Sequence, residues 1–295
     1  MHVKLSENFR AVFYGPFYAT HALGFYNAEG VDVELLNSPA PAAAAAGLLD
    51  GSIDISWGGP MRVMKAHDTD PDSPLVCFCE VAGRDPFFLV GKGDPASFRL
   101  ADLTRRKIGI VSEVDTPWLC LQHDLRLAGI DPERLDRVTG RTMAQNLEAL
   151  RAGELDVAQM FEPYVSMALQ AGTGEILYAA SSRGPTCYTT FLASRDSVSR
   201  NRAAFDAMVR ATRRTLTWVV EHGAEELAET VAPYYPHVPG DILTCAYRRY
   251  RDAGLWSRTP DVQRQGFARL TDSLKSGGFI SRPHTYEDCV EQSLG

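Results

Sequence analysis

Several things are missing from this 295-residue chain, and each absence narrows what it can do. It has no excess of positive charge: 30 Lys and Arg stand against 37 Asp and Glu, a formal net charge of −7. A nucleic-acid-binding surface is normally basic, so no nucleic-acid partner is expected. No stretch of 18 or more apolar residues occurs, so no membrane-spanning helix is expected. The start, Met1-His2-Val3-Lys4-Leu5-Ser6-Glu7, lacks the basic region and apolar run of a secretory leader. As it stands the chain reads as cytoplasmic; with a leader removed it would be periplasmic. The P-loop and dinucleotide glycine fingerprints are both absent, and no cofactor is expected. Low-complexity segments are missing too, and the alanine run at residues 42–46 reads as helix.

Cysteine is sparse but present, at positions 77, 79, 120, 187, 245 and 289. Most lie in apolar segments, which suits buried free thiols in a reducing compartment. Cys77-Phe78-Cys79 has the wrong spacing for a zinc knuckle, and no His/Cys pair follows it at zinc spacing, so no metal is expected. The seven His do not cluster in sequence; His21, near the first loop, is the one that could line a cleft.

What is present is alternation. Strands are expected at His2 to Leu5, Val31 to Leu36 (bounded by Asn37-Ser38-Pro39), Ile53 to Trp57, Leu75 to Ala82 and Phe87 to Val90. Further strands are expected at Lys107 to Val111, Arg137 to Thr139, Val157 to Phe161 and Ile176 to Ala179, with helices between them, including Pro41 to Leu49. This implies βαβ units and mostly parallel sheets. After Thr189 to Ala193 everything reads helical, and Phe205, Val209, Thr212, Leu216, Val219 and Val220 form a stripe at helical spacing. The length suits two domains. The expected division is a first lobe of residues 1–89 plus 190–295 and a second of 90–189, with crossings near Gly91 to Ser97 and at Thr189 to Ala193.

A set of phrases runs through the first 190 residues: Gly24-Phe25-Tyr26, Glu29-Gly30-Val31-Asp32-Val33, Leu49-Asp50-Gly51-Ser52-Ile53-Asp54, Leu103 to Gly109, Leu150 to Ala158 and Glu162-Pro163. In this order they resemble the type II periplasmic-binding-protein-like superfamily, which includes sulfonate- and taurine-binding proteins and the pyrimidine synthase of fungal thiamine biosynthesis. The resemblance implies a two-lobed α/β fold with helices flanking the sheets and a ligand cleft between the lobes. It also implies a small-molecule ligand and, for an exported chain, an ABC permease as partner. Two enzymes of this fold are departed from. The pyrimidine synthase uses a first-loop His, where this chain has Tyr14, and a cysteine cluster, where it has only Cys187. The aromatic sulfinate desulfinase uses a first-loop Cys, and Arg10-Ala11-Val12-Phe13 has none, although Trp57-Gly58-Gly59-Pro60 and Gly83-Arg84-Asp85-Pro86 are similar to its turns.

In open α/β sheets ligands bind outside the carboxyl ends of strands, and this picks out the candidate residues. Tyr14 and Phe17, in an aromatic loop, are either ligand wall or core. Trp57, Gly58 and Gly59 end a strand, and the glycines would let backbone amides approach a ligand. Asp115 or Thr116 reads as a helix N-cap, whereas Glu113 caps nothing obvious and is the better ligand contact. Glu162 begins another helix. Glu80, Arg84, Cys187 and Tyr188 lie near the crossings. Acidic residues would suit an amine, and Arg84 a carboxylate or sulfonate. Three functions fit: an ABC-type substrate-binding protein for an aromatic, heterocyclic or sulfonate/carboxylate compound; a cytosolic lyase, decarboxylase or hydrolase on the same fold; or a ligand-sensing partner of another protein.

Overall fold

The computed structural model describes residues 1–38 and 41–295, and the side chains of all of these except 41 and 42. The turn expected at Pro39 lies outside the described residues. Two five-stranded sheets organise the chain, and most of the strands and helices fall where apolar periodicity puts them.

The first sheet is built from β1 (His2–Ser6), β2 (Asp32–Leu36), β3 (Ile55–Gly58), β4 (Leu75–Ala82) and β10 (Thr189–Ser194), in the order β2-β1-β3-β10-β4. The second holds β5 (Phe88–Gly91), β6 (Lys107–Val111), β7 (Asp136–Arg141), β8 (Val157–Met160) and β9 (Glu175–Ala179), in the order β7-β6-β8-β5-β9. Each sheet is mixed, not mostly parallel. β1 runs parallel to β2 and β3, and β6 parallel to β7 and β8. β10 and β5 are antiparallel to both of their neighbours, because each enters its sheet directly from the other one without a crossover helix.

The first crossing therefore differs from the expected one. Phe88–Gly91 pairs with β8 and β9, so the chain leaves the first sheet at residues 83–87, not 91–97. The return comes at residues 181–188, and Thr189 to Ala193 already belongs to the first sheet. Apolar runs such as Phe87 to Val90 are read as strands by pattern, but pattern does not reveal which sheet they join.

The helices are α1 (Gly15–Ala22), α2 (Phe25–Ala28), α3 (Pro41–Asp50), α4 (Met61–Thr69), α5 (Thr116–Leu127), α6 (Met143–Arg151), α7 (Tyr164–Gln170), α8 (Arg195–Arg200), α9 (Arg202–Val231), α10 (Gly240–Asp252), α11 (Arg264–Ser276) and α12 (Tyr286–Cys289). On α9 the expected stripe is buried from Phe205 to Val219, but Val220 is exposed. Three residues on, Gly223 takes φ +94, where a Cβ would be strained, and α9 bends there.

The tail does more than complete the first lobe. α9 packs on α1 and α2, but α10 also touches α7, and α11 packs chiefly on α5, so the tail straddles both sheets. Arg249 of α10 ion-pairs with buried Glu162, and the Tyr250 hydroxyl accepts the Glu162 amide at 3.0 Å. Arg126 of α5 donates to the Ser276 carbonyl at 2.7 Å. One apolar cluster runs continuously through both lobes, joined by Phe13 and Phe161 at 5.2 Å and by Phe87 and Phe161 at 5.0 Å between ring centroids.

Candidate functional site

The carboxyl ends of β1 and β3 face the amino ends of α5 and α6 across the gap between sheets, and a cavity of about 700 Å3 opens there. Asn8, Phe9, Phe13 and Tyr14 come from the loop after β1. Gly59, Met61 and Arg62 come from the β3–α4 turn, and Glu113, Val114, Asp115 and Thr116 from the β6–α5 turn. Phe87 and Tyr188, one from each crossing, complete the inner wall. The cavity continues between α3 and α4, past Leu49 and Ala66.

Of the candidates read from sequence, Tyr14, Gly59, Glu113, Asp115, Thr116 and Tyr188 line this cavity. Tyr14 is almost fully buried, and its hydroxyl accepts a hydrogen bond from Asn8 Nδ2 at 3.2 Å. Burial raises its pKa, and the nearby Arg62 charge only partly offsets that. Glu113 and Asp115 exchange the roles expected of them. Glu113 Oε1 accepts from the Met143 amide at 2.9 Å, satisfying a donor at the start of α6. Asp115 caps nothing with its side chain and projects into the cavity. Thr116 does not cap either; its hydroxyl meets Met61 Sδ across the cleft.

The remaining candidates do not line it. Phe17 and Trp57 are core: both are wholly buried, stacked at 4.9 Å with planes 10° apart. Central β3 is covered by α1 on the face Trp57 uses, which turns an end-of-strand ring inward. Gly58 lies against Asn8 and Leu192 side chains. Glu162 is buried, with Arg249 as its ion-pair partner and the Ser166 amide donating to it at 2.9 Å, so it fastens α7 to α10. Cys187 is buried beside Glu80, whose Oε1 accepts from the Ser257 hydroxyl at 2.6 Å. Arg84 faces a different cavity and donates to the Ser181 carbonyl at 2.9 Å. His21 pairs with the Tyr234 hydroxyl at 2.8 Å.

The candidate residue that sequence reading missed is Arg62. It sits in the first turn of α4, largely desolvated, and its Nε is buried without a hydrogen-bond partner. Desolvation lowers its pKa, while the fields of Tyr14 and Asp115 oppose that. Asp115 contributes to the field but forms no ion pair with it. Elsewhere in the wall the buried Tyr188 hydroxyl also lacks a partner, and its charged neighbours are Asp85 and Arg183. Buried polar groups are normally satisfied, so the unpartnered Arg62 Nε in the cavity wall marks a place for an acceptor. The signal available in sequence was positional: the first turn of a helix after a Gly-Gly strand end faces the same side as the turn itself.

The wall is thus aromatic at the back, cationic at one corner and open beside α4. Chemically this arrangement can hold an oxyanion against a guanidinium, with a flat or apolar body against Phe9, Phe13 and Phe87. Among the described residues, no cysteine lines it.

Comparison with known proteins agrees with this architecture. The chain is 22% identical over 294 residues, 99% of its length and 88% of the other, to the Bacillus subtilis (strain 168) protein named "Putative binding protein YtlA". Its fold is similar to the periplasmic aliphatic sulphonate binding protein SsuA from Escherichia coli, with TM-score 0.77, 19% identity and 99% and 98% of the two chains covered. It is also similar to the ligand binding component of an ABC-type import system from Staphylococcus aureus, with TM-score 0.75, 18% identity and coverage of 100% and 97%. The two-lobed fold is shown by these likenesses. The family profile described as NMT1/THI5 like matches residues 13–226, most of the chain, and the protein belongs to that family.

Proposed function

We propose that this protein is a substrate-binding component of an ABC-type importer that closes its two lobes on a small organic anion of sulfonate or carboxylate type. The observation that carries the reading is Arg62, a desolvated guanidinium in an aromatic cavity with no carboxylate paired to it. Leaving such a charge unpaired is costly, and an anionic ligand would relieve the cost. The relatives support the role: the named functions of the similar structures include sulfonate binding and import. The earlier expectation that acidic residues fix an amine fits less well, because Glu162 is paired internally and Glu113 is engaged with α6.

In this reading each lobe moves as a body: residues 1–82 with 189–231, and residues 88–180. Residues 83–87 and 181–188 form the hinge. α10 and α11, which touch both lobes, hold the closed arrangement. Import also implies an ABC permease as partner, and action outside the membrane it serves. No helix among the described residues is long and apolar enough to cross a membrane. The enzymatic reading has less support, since thiolate chemistry at this cavity would have no cysteine among the described wall residues.

The test is calorimetric titration with a panel of alkane- and arylsulfonates, aromatic carboxylates and matched amines. Anions should bind, and Arg62→Ala should weaken them by about 1.5–3 kcal/mol, the contribution of a charged hydrogen bond. Arg62→Lys should recover only part, because a point charge replaces a planar fork. Preference for amines, or anion binding indifferent to Arg62, would overturn the reading.

A further inference from the structure

A second cavity, of about 780 Å3, shares no described wall residue with the cleft. It lies beside the crossings between lobes, where the tail is stitched to them. The Gly83 amide donates to the Leu255 carbonyl at 3.0 Å, and the Ser257 amide to the Val81 carbonyl at 2.9 Å. The Thr186 amide, on the return crossing, donates to the Gly83 carbonyl at 2.8 Å.

The polar wall of this cavity is cationic, in a chain of net charge −7. Arg84 comes from the first crossing, and Arg251 and Arg258 from the tail. Asp252 is the single carboxylate among the described wall residues. None of the three arginines makes an ion pair among the described residues, although arginines elsewhere, such as Arg183 and Arg249, do. Arg84 uses Nη1 on the Ser181 carbonyl, and Arg251 uses Nη2 on the Val220 carbonyl at 3.1 Å. A guanidinium has five N–H donors, so most of their capacity is left over. Arg251 also complements the carboxyl end of α10. That accounts for Arg251 but for neither Arg84 nor Arg258. The same wall also has an apolar part, with Leu216, Val219 and the half-buried ring of Trp256.

We infer that this cavity is a second binding site, for a small phosphorylated organic molecule whose phosphate is held by Arg84 and Arg258. Arginine forks match phosphate oxygens bidentately, and a dianion answers an excess of cations better than a single carboxylate does. The apolar wall receives the organic part. Such a ligand would join the first crossing to the tail. It would also sit against Trp256, whose Nε1 donates to the Phe13 carbonyl at 2.9 Å, and Phe13 lines the cleft. Trp256 is thus a reporter shared by the two cavities.

The experiment is titration of the full chain with phenyl phosphate, inorganic phosphate and succinate, followed by calorimetry and by tryptophan emission. Phenyl phosphate should bind saturably, more tightly than inorganic phosphate or succinate, and should change the emission; Trp256→Phe should abolish that change. In the Arg62→Gln background, which removes the cleft's cation, phenyl phosphate should still bind saturably, and adding Arg84→Gln with Arg258→Gln should weaken that binding at least tenfold. Arg258 is exposed, so Arg258→Gln alone, expected to weaken binding measurably, serves if the double variant does not fold. Absence of saturable binding overturns the site. Loss in Arg62→Gln with no loss in the double variant also overturns it, by returning the anion to the cleft. Tighter succinate binding overturns the ligand class. Because this site is read with the cleft's cation removed, failure here is distinct from failure of the import reading.

Discussion

Replacing Glu80 by glutamine should stabilise the protein at alkaline pH and change little near pH 4.5. Glu80 is buried on β4, with one carboxylate oxygen accepting from Ser257 at 2.6 Å and the other, Oε2, unpartnered. Burial pushes its pKa up from 4.5 to about 7, against the lowering effect of hydrogen bonds from Ser257 and Cys187. Between those two values the folded chain binds a proton that the unfolded chain has released. The stability carried by the neutral acid is therefore complete below 4.5 and is lost as pH rises through 7. A shift of that size corresponds to about 3 kcal/mol, at 1.36 kcal/mol per pH unit. Glutamine is neutral throughout, retains an acceptor for Ser257 and removes the ionisation. The advantage of Glu80→Gln should grow from near zero at pH 4.5 towards about 3 kcal/mol above pH 7, less any cost of the unpaired amide. Urea unfolding of both proteins at four pH values from 5 to 8.5 measures it. A difference that stays flat with pH, or a variant less stable than the parent at pH 8, would refute the argument.

Trp57→Ala should cost about 3–5 kcal/mol in unfolding free energy through the cavity it leaves, while ligand affinity of the folded fraction stays within a fewfold of the parent. Trp57→Phe should cost much less, because the Nε1 that it removes has no partner; weakened anion binding in the folded Phe variant would place the ring in the site after all. The Arg62 series gives the opposite pattern, with affinity lost and the melting temperature held or raised, since an unpaired desolvated charge is removed. Thiol titration should find one reactive group in the native protein, exposed Cys245, and six after denaturation without reductant. Fewer than six would mean that disulfides form.

The legible part of this fold is the part written in local periodicity. Val3 and Leu5 alternate into the core of β1, and the stripe from Phe205 to Val219 lies along one side of α9. Strand-end loops could also be found, because a βα turn has a recognisable boundary; this is how Tyr14, Gly59 and Asp115 came to be considered, while Tyr188 was picked out by its place near the return crossing. The sheet assignment of Phe88–Gly91 could not be read, since it depends on pairing with residues about 70 and 87 positions later in the chain. The tail was illegible for a similar reason. α10 and α11 have strong apolar faces, but a face does not name its partner, and here the partners come from both lobes.

The site residues failed in sequence for a more specific reason: a side chain at a strand end has two directions. Trp57 and Gly59 are two positions apart in one turn, yet Trp57 points under α1 while Gly59 opens to the cleft. Glu162 and Glu113 both follow strands of the second sheet. Arg249, delivered by a helix 87 residues away, neutralises the first and withdraws it from any ligand. Charge in the cleft is therefore decided by what the tail covers. α10 takes the carboxylate of Glu162 out of play, and Glu113 is occupied at the start of α6. Arg62 is left as the desolvated charge without a partner, and on the proposed reading that imbalance is what favours an anion.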